Sequence, residues 1–233
     1  MAIYSHATKD LIEAELADGK FSDASIINSD MDSLCGDNAD WIKADIKDTN
    51  CNDSVFNRSN FCDCEIDHSN FINSQFNKCN FNRTAFRCTS LIKLRLNGSR
   101  LRNHTVDSCT LQRSQLNDSI IKDSVLKDFE GVLAKISQTV FINCRFEISY
   151  GSGMNGFSSA RFENCIFINC SFSGYPLRGA ETKNCTFINC GGEITDSVAA
   201  DNTFGLPGAG YTECTKISNR IQAERIIQEA KNV

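Results

Sequence analysis

The sequence lacks the features that mark a membrane-spanning or secreted protein. No stretch approaches the roughly 18 uninterrupted apolar residues that a membrane-spanning helix needs. The first ten residues, MAIYSHATKD, contain no basic region followed by an apolar core, as a secretory signal would. Thirteen cysteines in a chain without an export signal predict a reducing compartment. We therefore expect a cytoplasmic protein with free thiols.

The sequence also lacks the spacings of familiar chemical sites. It has only three histidines and no pair of CxxC motifs, which disfavours a zinc site. No glycine-rich phosphate loop and no nucleophile–base pair appears. We predict no catalytic residue, no cofactor and no metal ligand, so that the chain works by binding a partner.

A five-residue period is present over much of the chain. Every fifth position from Leu16 to Leu126 holds a large apolar residue, except at Gly36 and Cys51. The position two residues earlier is small, usually Ser, Thr, Ala or Cys. Neither the period of a strand nor that of a helix gives this pattern. Gly36 is preceded by Leu34 in the small position, which predicts a local exchange of the two inward side chains.

Successive units of this repeat resemble a known family. The segment SNF-CDCEI-DHSNF-INSQF-NKCNF-NRTAF and the later ENCIF-INCSF are similar to the pentapeptide-repeat family. The resemblance covers about residues 14–190. It implies an all-β solenoid, a right-handed quadrilateral β-helix with four pentapeptides per coil and both the large and the small residue pointing inward. Residues 20 apart should then stack, for example Phe56 on Phe76.

The repeat weakens or shifts at two places and stops at a third. We predict a β-helix over residues 16–190 with an irregular segment at 127–140 and a glycine-rich loop at 147–156. The loop offers Tyr150, Met154 and Asn155 as candidate partner-binding residues, since loops on rigid scaffolds often carry function. The alternative is a tolerated bulge.

Both ends of the chain are expected to differ from the repeat. Residues 1–15 are interpreted as an N-terminal cap with a short helix that begins at Ser5 or Thr8. Residues 191–210 are expected to be a terminal loop, and 211–233 a C-terminal helix with an apolar stripe at Ile217, Ile221 and Ile227. That helix would cap the solenoid or form a homodimer contact, and some members of the resembling family use their C-terminus for the latter.

Most cysteines and one histidine fall on the small inward positions. Cys165 and Cys185 should stack, as should Cys170 and Cys190, but their parallel side chains favour free thiols. His104 is expected to be a hydrogen-bonded core histidine or a local distortion. The cysteines at these positions are interpreted as small buried residues.

Charge is distributed unevenly along a chain whose net charge is −5. Residues 1–50 hold eleven acidic and four basic residues. The stretch between Asp67 and Asp107 holds no acidic residue and seven basic ones. We predict a basic belt there, open to a protein partner or simply solvated, with direct nucleic-acid binding disfavoured. Its members are Lys78, Arg83, Arg87, Lys93, Arg95, Arg100 and Arg102.

The resemblance implies more than one function. Some pentapeptide-repeat proteins bind bacterial DNA gyrase or topoisomerase IV by imitating duplex DNA, which confers quinolone resistance or toxin immunity. Others act as effectors or scaffolds. The basic belt departs from the acidic surface that a DNA mimic needs. The leading hypothesis is therefore a non-catalytic protein-interaction module, with the topoisomerase modulator and the effector as alternatives.

Overall fold

The computed structural model describes residues 2–8, 10–12, 21–188, 190–193, 203–205 and 215–216. These residues form a solenoid in which every strand pairs in parallel with strands one coil away. We call its sides faces 1 to 4. Face 1 stacks ten strands, which makes about nine turns. They are β1 (Ile3–Ser5), β2 (Ser25–Ile27), β3 (Asp45–Lys47), β5 (Glu65–Asp67), β8 (Ala85–Arg87), β11 (Thr105–Asp107), β14 (Val125–Lys127), β17 (Arg145–Glu147), β20 (Ser171–Ser173) and β23 (Gly191–Gly192).

Faces 2 and 3 are shorter stacks of the same kind. Face 2 consists of β7 (Asn80–Asn82), β10 (Arg100–Arg102), β13 (Ile120–Lys122), β16 (Val140–Ile142), β19 (Ile166–Ile168), β22 (Thr186–Ile188), β24 (Thr203–Gly205) and β25 (Thr215–Lys216). Face 3 consists of β4 (Val55–Asn57), β6 (Gln75–Asn77), β9 (Arg95–Asn97), β12 (Gln115–Asn117), β15 (Lys135–Ser137), β18 (Arg161–Glu163) and β21 (Glu181–Lys183). Face 4 is held by single bridges, from Asp30–Asn50 to Glu130–Gly156.

The core consists of stacked columns of the large apolar residues. Phe56 pairs with Phe76 in register, and their rings stack with centroids 4.9 Å apart. On the face 2 side, Phe61 stacks on Phe81 at 5.2 Å. These columns confirm the predicted 20-residue coil. No single unit can bury its own apolar face, so stability comes from neighbouring coils.

The small inward position carries a hydrogen bond as well as a side chain. Ser54 Oγ donates to the carbonyl of Met31 at 2.9 Å and accepts from the backbone N–H of Leu34 at 3.1 Å. Ser74 Oγ donates in the same way to Cys51, at 2.7 Å. A buried site with an unused carbonyl requires a small donor. This explains why Ser, Thr and Cys recur there.

A left-handed residue lies at almost every corner of the coil. Thirty non-glycine residues have positive φ, and within the regular coils they recur at intervals of five. This conformation costs most residues roughly 1 kcal/mol but Asn and Asp less. The frequent Asn and Asp two positions after the large residue are therefore a backbone requirement, although Leu133 and Tyr175 occupy the same position.

Residues 127–140 are regular, so the predicted irregular segment is wrong. Phe129 fills the small inward position and Gly131 takes the large one. A Cβ atom on Gly131 would lie 2.5 Å from Cδ1 of Phe157. The exchange predicted at Leu34 and Gly36 is present as well, and Gly131 repeats it. The sequence pattern weakens here only because the two inward residues have changed places.

The shift in the repeat is an insertion between two coils. Lys135 pairs with Arg161, 26 positions later, whereas the coils before it repeat every 20 residues. Six extra residues therefore leave the stack between β17 and Gly156. Ser149 anchors their start, because its backbone N–H and Oγ donate to the Asp128 carboxylate at 2.6 and 2.9 Å.

The two ends differ in part from the expectation. Residues 3–5 form β1, which pairs with β2, so no helix begins at Ser5. Residues 10–12 are helical, and the N–H of Ile12 donates to the carbonyl of Thr8. Thr215–Lys216 is a strand rather than part of the predicted 211–233 helix. Ile217, Ile221 and Ile227 lie outside the described residues.

Candidate binding surface

The seven residues of the predicted basic belt are all exposed, but they do not share one face. Arg87 lies on face 1, Arg100 and Arg102 on face 2, and Arg95 on face 3. Lys78, Arg83 and Lys93 occupy corners with positive φ. A window of sequence wraps around the coil, so a basic window becomes a ring of charge instead of a patch.

Two of the seven are neutralised by acids of the preceding coil. Arg83 Nη2 and Nε donate to the Asp63 carboxylate at 2.7 and 2.5 Å. This hydrogen bond lowers the pKa of Asp63 below its usual range. Arg87 Nη1 lies 3.7 Å from Glu65 Oε2. Both pairs join residues one coil apart on the outside of the solenoid, and such exposed pairs contribute little to stability.

Another group of cations lines a groove on face 3 and the corner beside it. We call the following five residues the basic stripe: Lys93, Arg95, Arg113, Lys135 and Arg161. The groove has a volume of about 540 Å³. Leu133, 48% exposed, supplies an apolar patch in its floor.

The register of face 3 explains how the basic stripe forms. Arg95 pairs with Gln115, which pairs with Lys135, which pairs with Arg161 across the insertion. Adjacent strands are about 4.8 Å apart, so these side chains point the same way at fixed spacing. Among the described residues, the acid that pairs with the stripe is Glu181, at 2.8 Å from Arg161.

The sequence analysis missed Arg113, Lys135 and Arg161 because it searched along the chain. Reading down the columns at intervals of 20 residues would have found Lys135 above Arg95. Arg161 is displaced by the six-residue insertion and needs the structure. Lys93 and Arg95 are the belt members that the structure brings into the basic stripe.

Face 2 carries a smaller basic groove. Arg100, Arg102 and Lys122 line it together with Asn80, Asn82, Leu101 and Ile120, around a volume of about 250 Å³. Arg100 and Arg102 flank Leu101, whose side chain points into the core. Two of the three residues that were expected to share a face therefore do so. The third, Arg83, lies at the next corner and is paired with Asp63.

The insertion presents one large side chain to solvent. Tyr150 is fully exposed, at 107% of its reference area. Met154 is half-buried, and its N–H donates to Ser152 Oγ at 3.3 Å. Asn155 is exposed, and its carbonyl accepts from the N–H of Ser158. Hydrogen bonds at both ends give this loop a defined conformation on the solenoid.

The buried thiols are poor candidates for chemistry. Twelve cysteines lie in the described residues, and all twelve are free. Burial raises the pKa of Cys64, Cys79 and Cys109 to about 12. A thiol that stays protonated at neutral pH is a weak nucleophile and a weak metal ligand.

His104 is buried in an apolar environment. It is 2% exposed, and its Nδ1 has no hydrogen-bond partner among the described residues. Burial lowers the pKa of His104 to about 4, although the backbone of Thr84 acts in the opposite direction. The expected hydrogen bond to the ring nitrogen Nδ1 is therefore missing, and the imidazole is neutral at physiological pH.

The structure defines a β-solenoid of stacked five-residue units. Comparison with family models matches residues 64–103 to pentapeptide repeats, in eight copies. The same coil geometry continues on both sides of that segment, from Ser25 to Ile188. The chain is a pentapeptide-repeat protein. No described helix is long and apolar enough to cross a membrane.

Comparisons with whole proteins add only distant likenesses. No curated protein sequence matches the chain. Among solved structures it is similar to HetL of the cyanobacterium Nostoc sp. strain PCC 7120, a pentapeptide repeat protein involved in heterocyst differentiation regulation. That match has 11% identity and a TM-score of 0.43, and covers 88% of this chain and 90% of HetL.

A second similar structure is full-length QnrB1, a plasmid-mediated fluoroquinolone resistance protein. It has 15% identity and a TM-score of 0.36, and the match covers 98% of each chain. A mannuronic acid specific polysaccharide lyase from human gut microbiota matches at 12% identity and a TM-score of 0.32, over 91% of this chain and 69% of the lyase. At these values the likenesses carry no argument about a partner or an activity.

Proposed function

We propose that this chain is a non-catalytic interaction module that binds an acidic protein surface through the basic stripe. The observation that carries the proposal is the series of like charges on face 3, of which Arg161 has an acidic partner at 2.8 Å. Like charges in one groove repel each other and destabilise the free protein. A bound anionic partner would relieve that repulsion.

The arrangement of face 1 supports the choice of face 3. On face 1, Lys47 lies 3.1 Å from Asp45 and Arg145 lies 3.7 Å from Glu147, so acid and base alternate and neutralise each other. The apolar side chain of Leu133 within the basic stripe adds a contact that a folded partner can bury. Charge steers such a partner and the apolar patch holds it.

The test is capture of partners from the source cell by the full chain. The double variant Arg95→Glu/Lys135→Glu should weaken binding of the captured protein at least about tenfold. The matched control is Lys127→Glu/Arg145→Glu, which makes the same change of charge on face 1. Binding should also weaken as salt is raised. Equal binding by both double variants would reject the basic stripe as the interface.

A second double variant distinguishes the two basic grooves. Arg100→Glu/Arg102→Glu alters face 2 and leaves face 3 intact. If only this variant loses the partner, the interface is the groove on face 2. Anisotropy with duplex DNA provides the other comparison: tight, salt-dependent binding of DNA would overturn the proposal of a protein partner.

Modulation of a type II topoisomerase is the second candidate function. The observation in its favour is the six-residue insertion, which presents Tyr150 beyond the scaffold. A supercoiling assay with and without a quinolone tests it, using the wild-type chain and Tyr150→Ala. Absence of any effect at micromolar protein would exclude this candidate and leave the basic stripe untouched.

A further inference from the structure

We propose that Asp67, His68 and Cys88 form a binding site for a divalent transition metal, with Zn²⁺ as the best match. One ligand atom from each residue lies within 4.8 Å of the other two. The cluster lies on the outside of the solenoid where face 1 ends. It is independent of the basic stripe and of the partner proposed for it.

The coil geometry brings the three residues together. Asp67 ends β5, and His68 and Cys88 are the corner residues of two successive coils, with φ of 46° and 45°. The N–H of His68 donates to the carbonyl of Arg87 at 3.1 Å, which fixes the two corners relative to each other. Equivalent corners hold their side chains parallel at about the 4.8 Å strand spacing. Their nearness is therefore set by the backbone.

The set of donors determines which metal fits. A thiolate, an imidazole and a carboxylate together suit Zn²⁺ and similar ions, whereas Mg²⁺ and Ca²⁺ prefer oxygen ligands. Ligands at about 2.0–2.3 Å from zinc require the three donor atoms to approach each other slightly. The side chain of His68 is 62% exposed and that of Asp67 28%, so both have room to adjust. Three protein ligands leave one tetrahedral position open to water or to a further ligand.

The electrostatic environment is compatible with a cation. Asp67 Oδ1 already lies 2.9 Å from His68 Nδ1, so the carboxylate accompanies the imidazole. Arg87 pairs in register with Asp67, but its Nη1 lies 3.7 Å from Glu65. Asp48 occupies the corner one coil before His68, and its N–H donates to the carbonyl of Asp67 at 3.2 Å. A second carboxylate is therefore near the site.

Cys88 differs from the thiols of the core. It is exposed, whereas the cysteines at inward positions such as Cys64 and Cys109 are buried and hydrogen-bonded to backbone carbonyls. On binding the metal, the Cys88 thiol releases its proton to solvent and the sulfur forms the metal–thiolate bond. Cys35 is also exposed, and it lies outside this cluster. It therefore provides a matched control.

The experiment uses the full chain, reduced, treated with a chelator and then freed of it. Cobalt titration followed by absorption tests for the thiolate-to-cobalt charge-transfer band, and calorimetry with zinc gives affinity and stoichiometry. The variants are Cys88→Ser, His68→Asn and Asp67→Asn. Ser108 and Asn28 already occupy the same corner in other coils with positive φ, so the first two substitutions suit the backbone. Circular dichroism verifies that each variant is folded.

We expect one zinc per wild-type chain and a cobalt–thiolate band that Cys35→Ser retains and Cys88→Ser loses. Loss of a direct ligand should cost at least the ~10–100-fold in affinity that loss of a supporting residue costs at known sites. The proposal is overturned if cobalt gives no thiolate band, or if Cys88→Ser binds zinc as tightly as the wild type. It is also overturned if Cys35→Ser is the variant that loses the band.

Discussion

The buried histidine makes the stability of the solenoid depend on pH. His104 is 2% exposed, its imidazole faces Phe86 at a centroid distance of 5.3 Å, and its Nδ1 has no hydrogen-bond partner among the described residues. Burial lowers the pKa of His104 from 6.5 to about 4. Protonation therefore favours the unfolded chain, in which the imidazole is solvated.

The sign and size of the effect follow from proton linkage. Between pH 6.5 and pH 4 the unfolded chain binds a proton that the folded chain does not, so the free energy of unfolding falls as the pH is lowered. The contribution of His104 is complete above the unfolded pKa and is lost as the pH falls through the folded one. From pH 7 to pH 5 the expected loss is about 2 kcal/mol.

The perturbation is His104→Ser, because Ser124 occupies the same column one coil later and is 1% exposed. Urea unfolding followed by circular dichroism at pH 7 and pH 5 gives four free energies. Other titrating groups affect both proteins alike, so the difference between the two pH-dependent losses isolates His104. We expect the wild type to lose about 2 kcal/mol more than the variant. Equal losses in the two proteins would refute the reasoning.

Two further predictions concern the core. Phe76→Ala should lower the free energy of unfolding by about 3–5 kcal/mol, because Phe76 is 0% exposed and stacks on Phe56; Tyr150→Ala, at a fully exposed position, should change it little. Gly131→Ala should cost about 1–3 kcal/mol, because its Cβ would meet Phe157 at 2.5 Å. Gly191→Ala is the control, since a Cβ there meets nothing within 4 Å. Urea unfolding measures both, and a near-zero effect at Phe76 or Gly131 would contradict the packing described.

The fold could be predicted from the sequence because the same two inward positions recur in every unit. The column of Phe56, Phe76 and Leu96 follows from the period alone. The segment at 127–140 was misjudged because Phe129 and Gly131 exchange places, which breaks the pattern in the sequence but preserves the volume in the core. The exchange at Leu34 and Gly36 was recognisable because its neighbours on both sides kept the phase.

The surface was harder to predict than the core. Inward positions are fixed by the five-residue period, but neighbours on the outside are 20 residues apart and shift to 26 at the insertion. The basic stripe joins Arg95 to Lys135 and Arg161 by that second period. The cluster of His68 and Cys88 depends on it too, and a search for short metal-binding spacings along the chain cannot detect it.

The parallel ladder has a consequence for what this surface can recognise. Each coil advances the rod by about 4.8 Å, so functional groups on one face stand at multiples of that distance. Arg95 and Lys135, two coils apart, are separated by about 10 Å along the axis whatever their rotamers. The rod therefore acts as a ruler: a partner fits when its own charges repeat at the same interval. Removing one whole coil would shorten the ruler without changing its graduations, whereas removing half a coil would rotate the remaining groups onto the opposite face.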